Sequence, residues 1–317
     1  MSGARPSSEF HPVICVPARN EGKRLPALME ALAAQNYRNA LSVIICLNNC
    51  TDDSRSSMEA ARGRFANRLR IVIDNHEFPP GKAHAGSARR RAMNIGAELL
   101  RDRSGGVLLS TDADARPAKN WVEANRAAIA QGADLVGGRI LLDADILLPP
   151  EMREIHARLD AYWTRVRDIE DVIDPLPWDL PPRHGDHTGA SLAITLEAYR
   201  AAGGVPPIPS GEDRALVLAA QAKGARLRHA PDVEVRVSAR EIGRADGGMA
   251  DFMKKLRRAV TSGRGPLLPD FPQWAARARW RRELRQGTDD NSLVVKKETL
   301  LPPMQETLCL QSDWMAS

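Results

Sequence analysis

The sequence predicts an α/β fold: a mostly parallel, twisted sheet flanked by helices, with a C-terminal extension. Two observations predict the α/β class. Short apolar runs without polar alternation recur along the first 140 residues, the pattern of strands buried on both faces. Segments of helical periodicity separate them, and strands spaced by helices form βαβ units with right-handed crossovers.

Taken in order, Val13, Ile14, Cys15 and Val16 make the first strand, and residues 21–34 place Leu25, Leu28, Met29 and Leu32 at helical spacing. Residues 41–47 form a second strand, followed by a polar loop at 48–54 and a helix from 53 to about 67. A third strand at 69–73, a helix at 87–101, a fourth strand at 106–109 and a helix at 117–131 complete the regular half. Beyond it the pattern loosens: a strand at 135–142 around Gly137 and Gly138, a long helix at 152–172, a helix at 212–222 and a strand at 233–237. Pro175, Pro177, Pro181 and Pro182 mark turns after the long helix. Residues 249–260 are an amphipathic helix, and past them the sequence offers no architecture.

A chain of 317 residues, 43% hydrophobic and 27% charged, has the composition of a globular protein with ample core. No run approaches the ~18 apolar residues of a membrane span, and residues 1–9 lack the apolar core of a signal peptide. A cytoplasmic location is therefore expected. The four cysteines, at 15, 46, 50 and 309, lack paired metal-ligand spacing and read as reduced thiols. A net charge of +5 favours anionic partners, but only 4% of residues are aromatic and no nucleic-acid motif accompanies the arginine clusters, which argues against nucleic acid.

The chemistry gathers at strand ends, where open α/β sheets bind ligands. The fourth strand ends in Asp112, Ala113 and Asp114; in extended geometry the two carboxylates share a side, and such oxygens suit a hard divalent cation that also holds a phosphate. The same spacing also serves turns. After the first strand, Pro17, Arg19, Asn20 and Glu21 offer groups for a ribose or base edge, or alternatively helix N-terminal chemistry. After the second, Asn48, Asn49, Thr51 and Asp52 suit a nucleobase edge or a solvated turn. Residues 79–91 hold Gly81, Lys82, His84 and the Arg89–Arg91 cluster, where Lys82 with Arg89 or Arg91 would neutralise a diphosphate, although the spacing is not that of a P-loop. Glu212 and Asp213 open a helix, where the macrodipole favours acids; as chemistry, Asp213 is the candidate general base and Glu212 its alternate.

Four segments in this order resemble a family 2 glycosyltransferase of the GT-A fold: 17–21, 48–53, 111–114 with Pro117, and 203–216 with its double glycine and Glu-Asp-x-x-Leu. The resemblance covers about residues 11–240. It implies an inverting, nucleotide-sugar-dependent hexosyltransferase, with residues 1–120 as the donor-binding half, 121–240 as the acceptor and base half of one domain, and 241–317 as an extension. It implies that Asn20, Glu21 and Asp52 hold the nucleoside and that Asp112 meets the ribose or a metal-bound water. Asp114 would ligate Mg²⁺ or Mn²⁺ through the donor diphosphate, with Lys82 and an arginine of 89–91 near the phosphates. Gly189 and Ala190 would line the sugar and acceptor site, and Asp213 would be the base. Asn48 and Asn49 stand where the family has two aspartates, leaving uridine as the default base; Arg240 replaces a metal-binding histidine of some relatives and would meet the diphosphate.

Two other readings compete: a sugar-phosphate nucleotidylyltransferase, and a non-catalytic nucleotide-sugar scaffold docking through its basic tail. The acceptor, whether small molecule, glycan or lipid, and the oligomeric state leave no motif. Trp163 and Trp178 suit either stacking or packing. Lys254, Lys255, Arg257 and Arg258 suit either peripheral contact with an anionic membrane or a solvated face.

Overall fold

Each apolar run in the first half closes into a strand, and the order of those strands places the site. The computed structural model describes residues 10–143, 148–238, 249–263, 265–288 and 290–310, with backbone alone for Met249, Ala250 and Phe252. In chain order the elements are β1 (His11–Ala18), α1 (Leu25–Ala33), β2 (Leu41–Asn48), α2 (Ser54–Arg64), β3 (Leu69–His76), α3 (Ala85–Leu99) and β4 (Gly106–Ser110). Then come β5 (Arg116–Pro117), α4 (Trp121–Ala130), β6 (Leu135–Leu142), α5 (Pro150–Ile173), β7 (Leu192–Thr195), α6 (Leu196–Ala201), α7 (Glu212–Gln221) and β8 (Leu227–Val237). The last are α8 (Met249–Ser262), β9 (Leu267–Pro269), α9 (Phe271–Gln286), α10 (Asn291–Glu298) and β10 (Glu306–Cys309). They fall into two compact units, residues 1–143 with 185–238, and 144–184 with 239–317.

The first unit holds an eight-stranded sheet in the order β3-β2-β1-β4-β7-β6-β8-β5. Strands β1 to β4 pair in parallel, as the helical crossovers require. Ile14, Ile44, Ile45 and Leu108 are fully buried along them, and α1 covers one face with the Leu25, Leu28, Met29 and Leu32 stripe read from the sequence. Strand β7, absent from the sequence reading, is decisive. It runs antiparallel to both β4 and β6, pairing Leu192 with Ser110. Because it begins where β4 ends, the loop that precedes it, residues 188–191, lies at the carboxyl edge of the parallel strands. Sequence missed it because four residues flanked by Thr188–Ser191 and a helix cap give no period. Gly137 on β6 lets that loop descend: a Cβ there would lie 2.1 Å from the Asp186 carbonyl oxygen.

In the second unit α5 buries Met152, Ile155, Leu159, Tyr162 and Val166 and packs on α8 and α9. Trp274 Nε1 donates to the Tyr162 hydroxyl at 2.7 Å, which donates to the Pro269 carbonyl at 2.6 Å. The region beyond residue 260, without architecture in the sequence, contains two further helices. Asp270 caps α9 by accepting from Gln273 N–H at 3.1 Å, and Asp290 caps α10 by accepting from Ser292 N–H at 2.9 Å. Two arginines of α9 turn inward: Arg281 pairs with Glu170 at 2.8 Å, and Arg285 with Asp174. Among the described residues no helix is long and apolar enough to cross a membrane.

Candidate functional site

The loops after β1 and β2 are fastened to each other. Asn20 sits at φ 52°, in the left-handed region that asparagine tolerates better than most residues. Its side-chain oxygen accepts from Thr51 N–H at 2.7 Å, and its own N–H faces Cys50 Sγ at 3.3 Å. Asn20 therefore ties two loops and does not cap α1, which starts after Arg24 without a side-chain cap. Buried Glu21 ion-pairs with Arg24 at 2.8 Å, and its N–H donates to Ser54 Oγ at 2.9 Å. Asp52 accepts from Gly22 N–H at 3.0 Å and from the Ser54 hydroxyl at 2.5 Å. Slight burial works to raise its pKa, but the Ser54 hydroxyl and the Gly22 and Ser54 amides outweigh it and hold the carboxyl below its ordinary value.

At the end of β4, Thr111 and Ser110 reach across to the loop before β7. Thr111 Oγ1 donates to the Ala190 carbonyl and Ser110 Oγ to the Gly189 carbonyl, both at 2.9 Å. Asp112 to Ala115 form a turn, closed by Ala115 N–H on the Asp112 carbonyl at 3.1 Å. The extended geometry read from the sequence is therefore replaced by a turn at this point, with Ala113 buried and the side chains of Asp112 and Asp114 half-buried on either side of it.

Arg89, on α3, is the hub. It is only 5% exposed. Its Nε donates to Glu212 at 2.9 Å, Nη1 to Ser110 Oγ at 2.6 Å and to the Gly189 carbonyl at 2.9 Å, and Nη2 to Asp112 at 2.8 Å. Burial works against the guanidinium charge, but Asp112, Glu212 and Asp213 outweigh it and raise its pKa. Gly189 packs flat on this group, since a Cβ there would stand 2.3 Å from Arg89 Cζ. On its other side the Gly189 N–H donates to Asp213 Oδ2 at 2.6 Å. The two acids of α7 thus have different surroundings: Glu212 is 5% exposed and committed to Arg89, whereas Asp213 is half-buried.

The other expected residues divide. Lys82 is exposed, and Arg19 donates to the Ala83 carbonyl at 2.8 Å in the same loop. Arg91 forms a two-pronged pair with Asp74 on β3, at 2.5 Å and 2.8 Å. Asn49, at φ 47°, exchanges two hydrogen bonds with the backbone of Phe78. Asn48 donates to the His84 carbonyl at 3.2 Å, and its buried Oδ1 has no partner. His84 caps α3 by accepting from Ser87 N–H at 3.2 Å. Pro17 lies on β1 opposite Cys46. Arg240 lies outside the described residues. Sequence reasoning missed Ser110, Thr111 and Ser54, whose hydroxyls assemble the loops, and the pairing of His187 Nδ1 with His229 Nε2 at 3.2 Å. A polar residue closing an otherwise apolar strand, as Ser110 does, was the available signal.

Among the described residues no three His, Cys, Asp or Glu side chains form a cluster able to hold a metal alone. The two carboxylates at the turn offer hard oxygen donors, the type that suits a divalent cation whose remaining positions are filled by substrate oxygens.

The model of glycosyl transferase family 2 matches residues 13–171, half of the chain. The chain belongs to this family. No curated protein matches it. Among solved structures, S. aureus TarS 1–349 in complex with UDP-GlcNAc is similar at 16% identity and a TM-score of 0.51, over 80% of this chain and 66% of that one. The mannosyltransferase PcManGT from Pyrobaculum calidifontis, in complex with GDP-Man and Mn²⁺, is 15% identical over 98% of this chain and 84% of that one, with a TM-score of 0.49. At this identity the TarS likeness speaks to fold alone, and with the family and the sheet order it gives the GT-A type.

Proposed function

We propose that this family 2 member transfers a sugar from a nucleotide-diphosphate sugar, UDP-linked by default, to an acceptor hydroxyl with inversion. One observation carries the reading. Asp112 and Asp213 are gathered about one buried guanidinium and one glycine peptide at the carboxyl edge of a parallel sheet, where such folds bind ligands.

The residues take these roles. The linked loops of Asn20, Glu21 and Asp52 bind the nucleoside, and exposed Lys82 lies along the path of the phosphates. Asp114, assisted by Asp112, would hold Mg²⁺ or Mn²⁺, which when bound offsets the charge of the departing diphosphate. Asp213 receives the proton of the acceptor hydroxyl as its oxygen attacks the anomeric carbon opposite the leaving group. Glu212 is unsuited to that task because it is buried against Arg89. The Gly189 amide aims the Asp213 carboxylate.

The test is release of nucleotide diphosphate from a panel of UDP- and GDP-sugars with Mn²⁺, by wild type and by Asp213→Asn. Turnover in the wild type that falls ~10²–10⁴-fold in Asp213→Asn supports the assignment. Equal rates would remove Asp213 as the base. Pyrophosphate release from a nucleoside triphosphate and a sugar phosphate would instead support the nucleotidylyltransferase reading.

A further inference from the structure

Three consecutive arginines on α3 go to three destinations. Arg91 pairs with Asp74, Arg90 donates to the Val205 carbonyl at 2.5 Å, and Arg89 turns into the site. The first two follow from the helical rotation of neighbouring residues and fasten α3 to the structure around it. The third does more.

We propose that Arg89 is a positioning residue: it does not touch the donor phosphates but locks Asp112, the Gly189 peptide and the helix bearing Asp213 into one arrangement. The proposal rests on the reading of Asp213 as the base. A guanidinium offers donors in a rigid planar fork, and here every nitrogen of the fork is engaged, by two acids on separate elements, a hydroxyl and a carbonyl. With 5% of the residue exposed, none of it is presented to a phosphate. The fork joins the end of β4 to the start of α7, elements 102 residues apart in sequence (110 to 212). Gly189 completes the circuit: its carbonyl accepts from Arg89 and its amide donates to Asp213. A shift of Arg89 therefore moves the donor-side carboxylate, the peptide that aims the base, and the helix that carries it. Lysine, a point charge on a single nitrogen, cannot hold the separate acceptors in that plane.

The test compares wild type, Arg89→Lys and the paired variant Arg89→Met/Glu212→Gln, which removes the buried cation together with its buried acid. Melting temperature, amide hydrogen exchange over residues 187–191, binding of UDP and GDP with Mn²⁺, and nucleotide release are measured for each. The expected result is a cooperative melt near that of wild type in the paired variant, faster exchange at the Gly189 amide, and a kcat lower by ~100-fold, the cost of an angstrom-scale misplacement. Diphosphate affinity with Mn²⁺ weakens as well, because Asp112 loses its anchor on Arg89. A purely structural arginine predicts that the paired variant, once its melting temperature recovers, also recovers kcat and Gly189 protection; that outcome overturns the proposal. Should the paired variant not fold, Arg89→Lys carries the test, with wild-type exchange and kcat as the contradicting result. If the wild type binds neither UDP nor GDP, the donor reading fails, while the exchange measurement still decides whether Arg89 positions Gly189 and Asp213.

Discussion

At the scale of single residues, the site is organised by one glycine peptide held from both sides. Its place depends on the absence of a side chain: in Gly189→Ala the new methyl group would meet Arg89 Cζ at 2.3 Å, against a guanidinium with no free direction in which to move. Overpacking of this kind costs about 1–3 kcal/mol. We expect Gly189→Ala to melt lower and to turn over nucleotide sugar ~100-fold more slowly; a variant with wild-type turnover would show that the contact does not matter. Asp213→Asn separates charge from shape, because the amide keeps the size of the side chain and removes the base. Its expected signature is full diphosphate binding with turnover lost. Of this scale, much was visible in sequence: Asp112, Asp114 and Asp213 stand out by type and place. What was hidden is partnership. Nothing in the run Arg89–Arg91 says which arginine turns inward, because that follows from the rotation of α3 against β4.

At the scale of elements, two features set the structure. The first is β7, whose antiparallel direction sends the loop before it to the functional edge; its four residues carry too little pattern to be read from sequence. The second is the α5–α9 pair. Glu170 has a side chain only 8% exposed and meets Arg167, Arg183 and Arg281 at 2.8–3.0 Å. Burial raises its pKa, but Arg281, Arg167 and Arg183 together outweigh that and hold it below the ordinary carboxylate range. A carboxylate whose folded pKa is lowered contributes stability above its unfolded pKa, and that contribution is lost as pH falls through the folded value. Glu170→Gln leaves three arginines short of a charge, and breaking a buried pair costs about 3–5 kcal/mol. Denaturation at pH 7 and again in acid checks this: the gap between variant and wild type should narrow as pH falls. A gap independent of pH would place the effect in packing. Two arginines of α9, Arg281 and Arg285, belong to the same network, pairing with Glu170 and Asp174 on α5 and at its end.

At the scale of the whole molecule, the chain has one unit with the sheet and the candidate site, and another built on a long helix, a second set of helices and a buried ionic network. The first was legible because parallel strands buried on both faces write themselves as uninterrupted apolar runs. Of the second, only the helices α5 and α8 were legible; the rest was not, because its order rests on caps and on arginine–carboxylate pairs distant in sequence. Family membership gives a glycosyl transferase and the sheet order agrees with the GT-A type; the proposed function stands or falls on whether the edge of that sheet binds a nucleotide diphosphate. The most direct measurement is calorimetric titration of UDP and of GDP into wild type and Asp114→Ala, each with Mn²⁺, with Mg²⁺ and with EDTA. The expected result is metal-dependent binding that prefers one diphosphate and disappears in Asp114→Ala. Absence of binding to the wild type under every condition, or binding indifferent to both EDTA and Asp114→Ala, would contradict it.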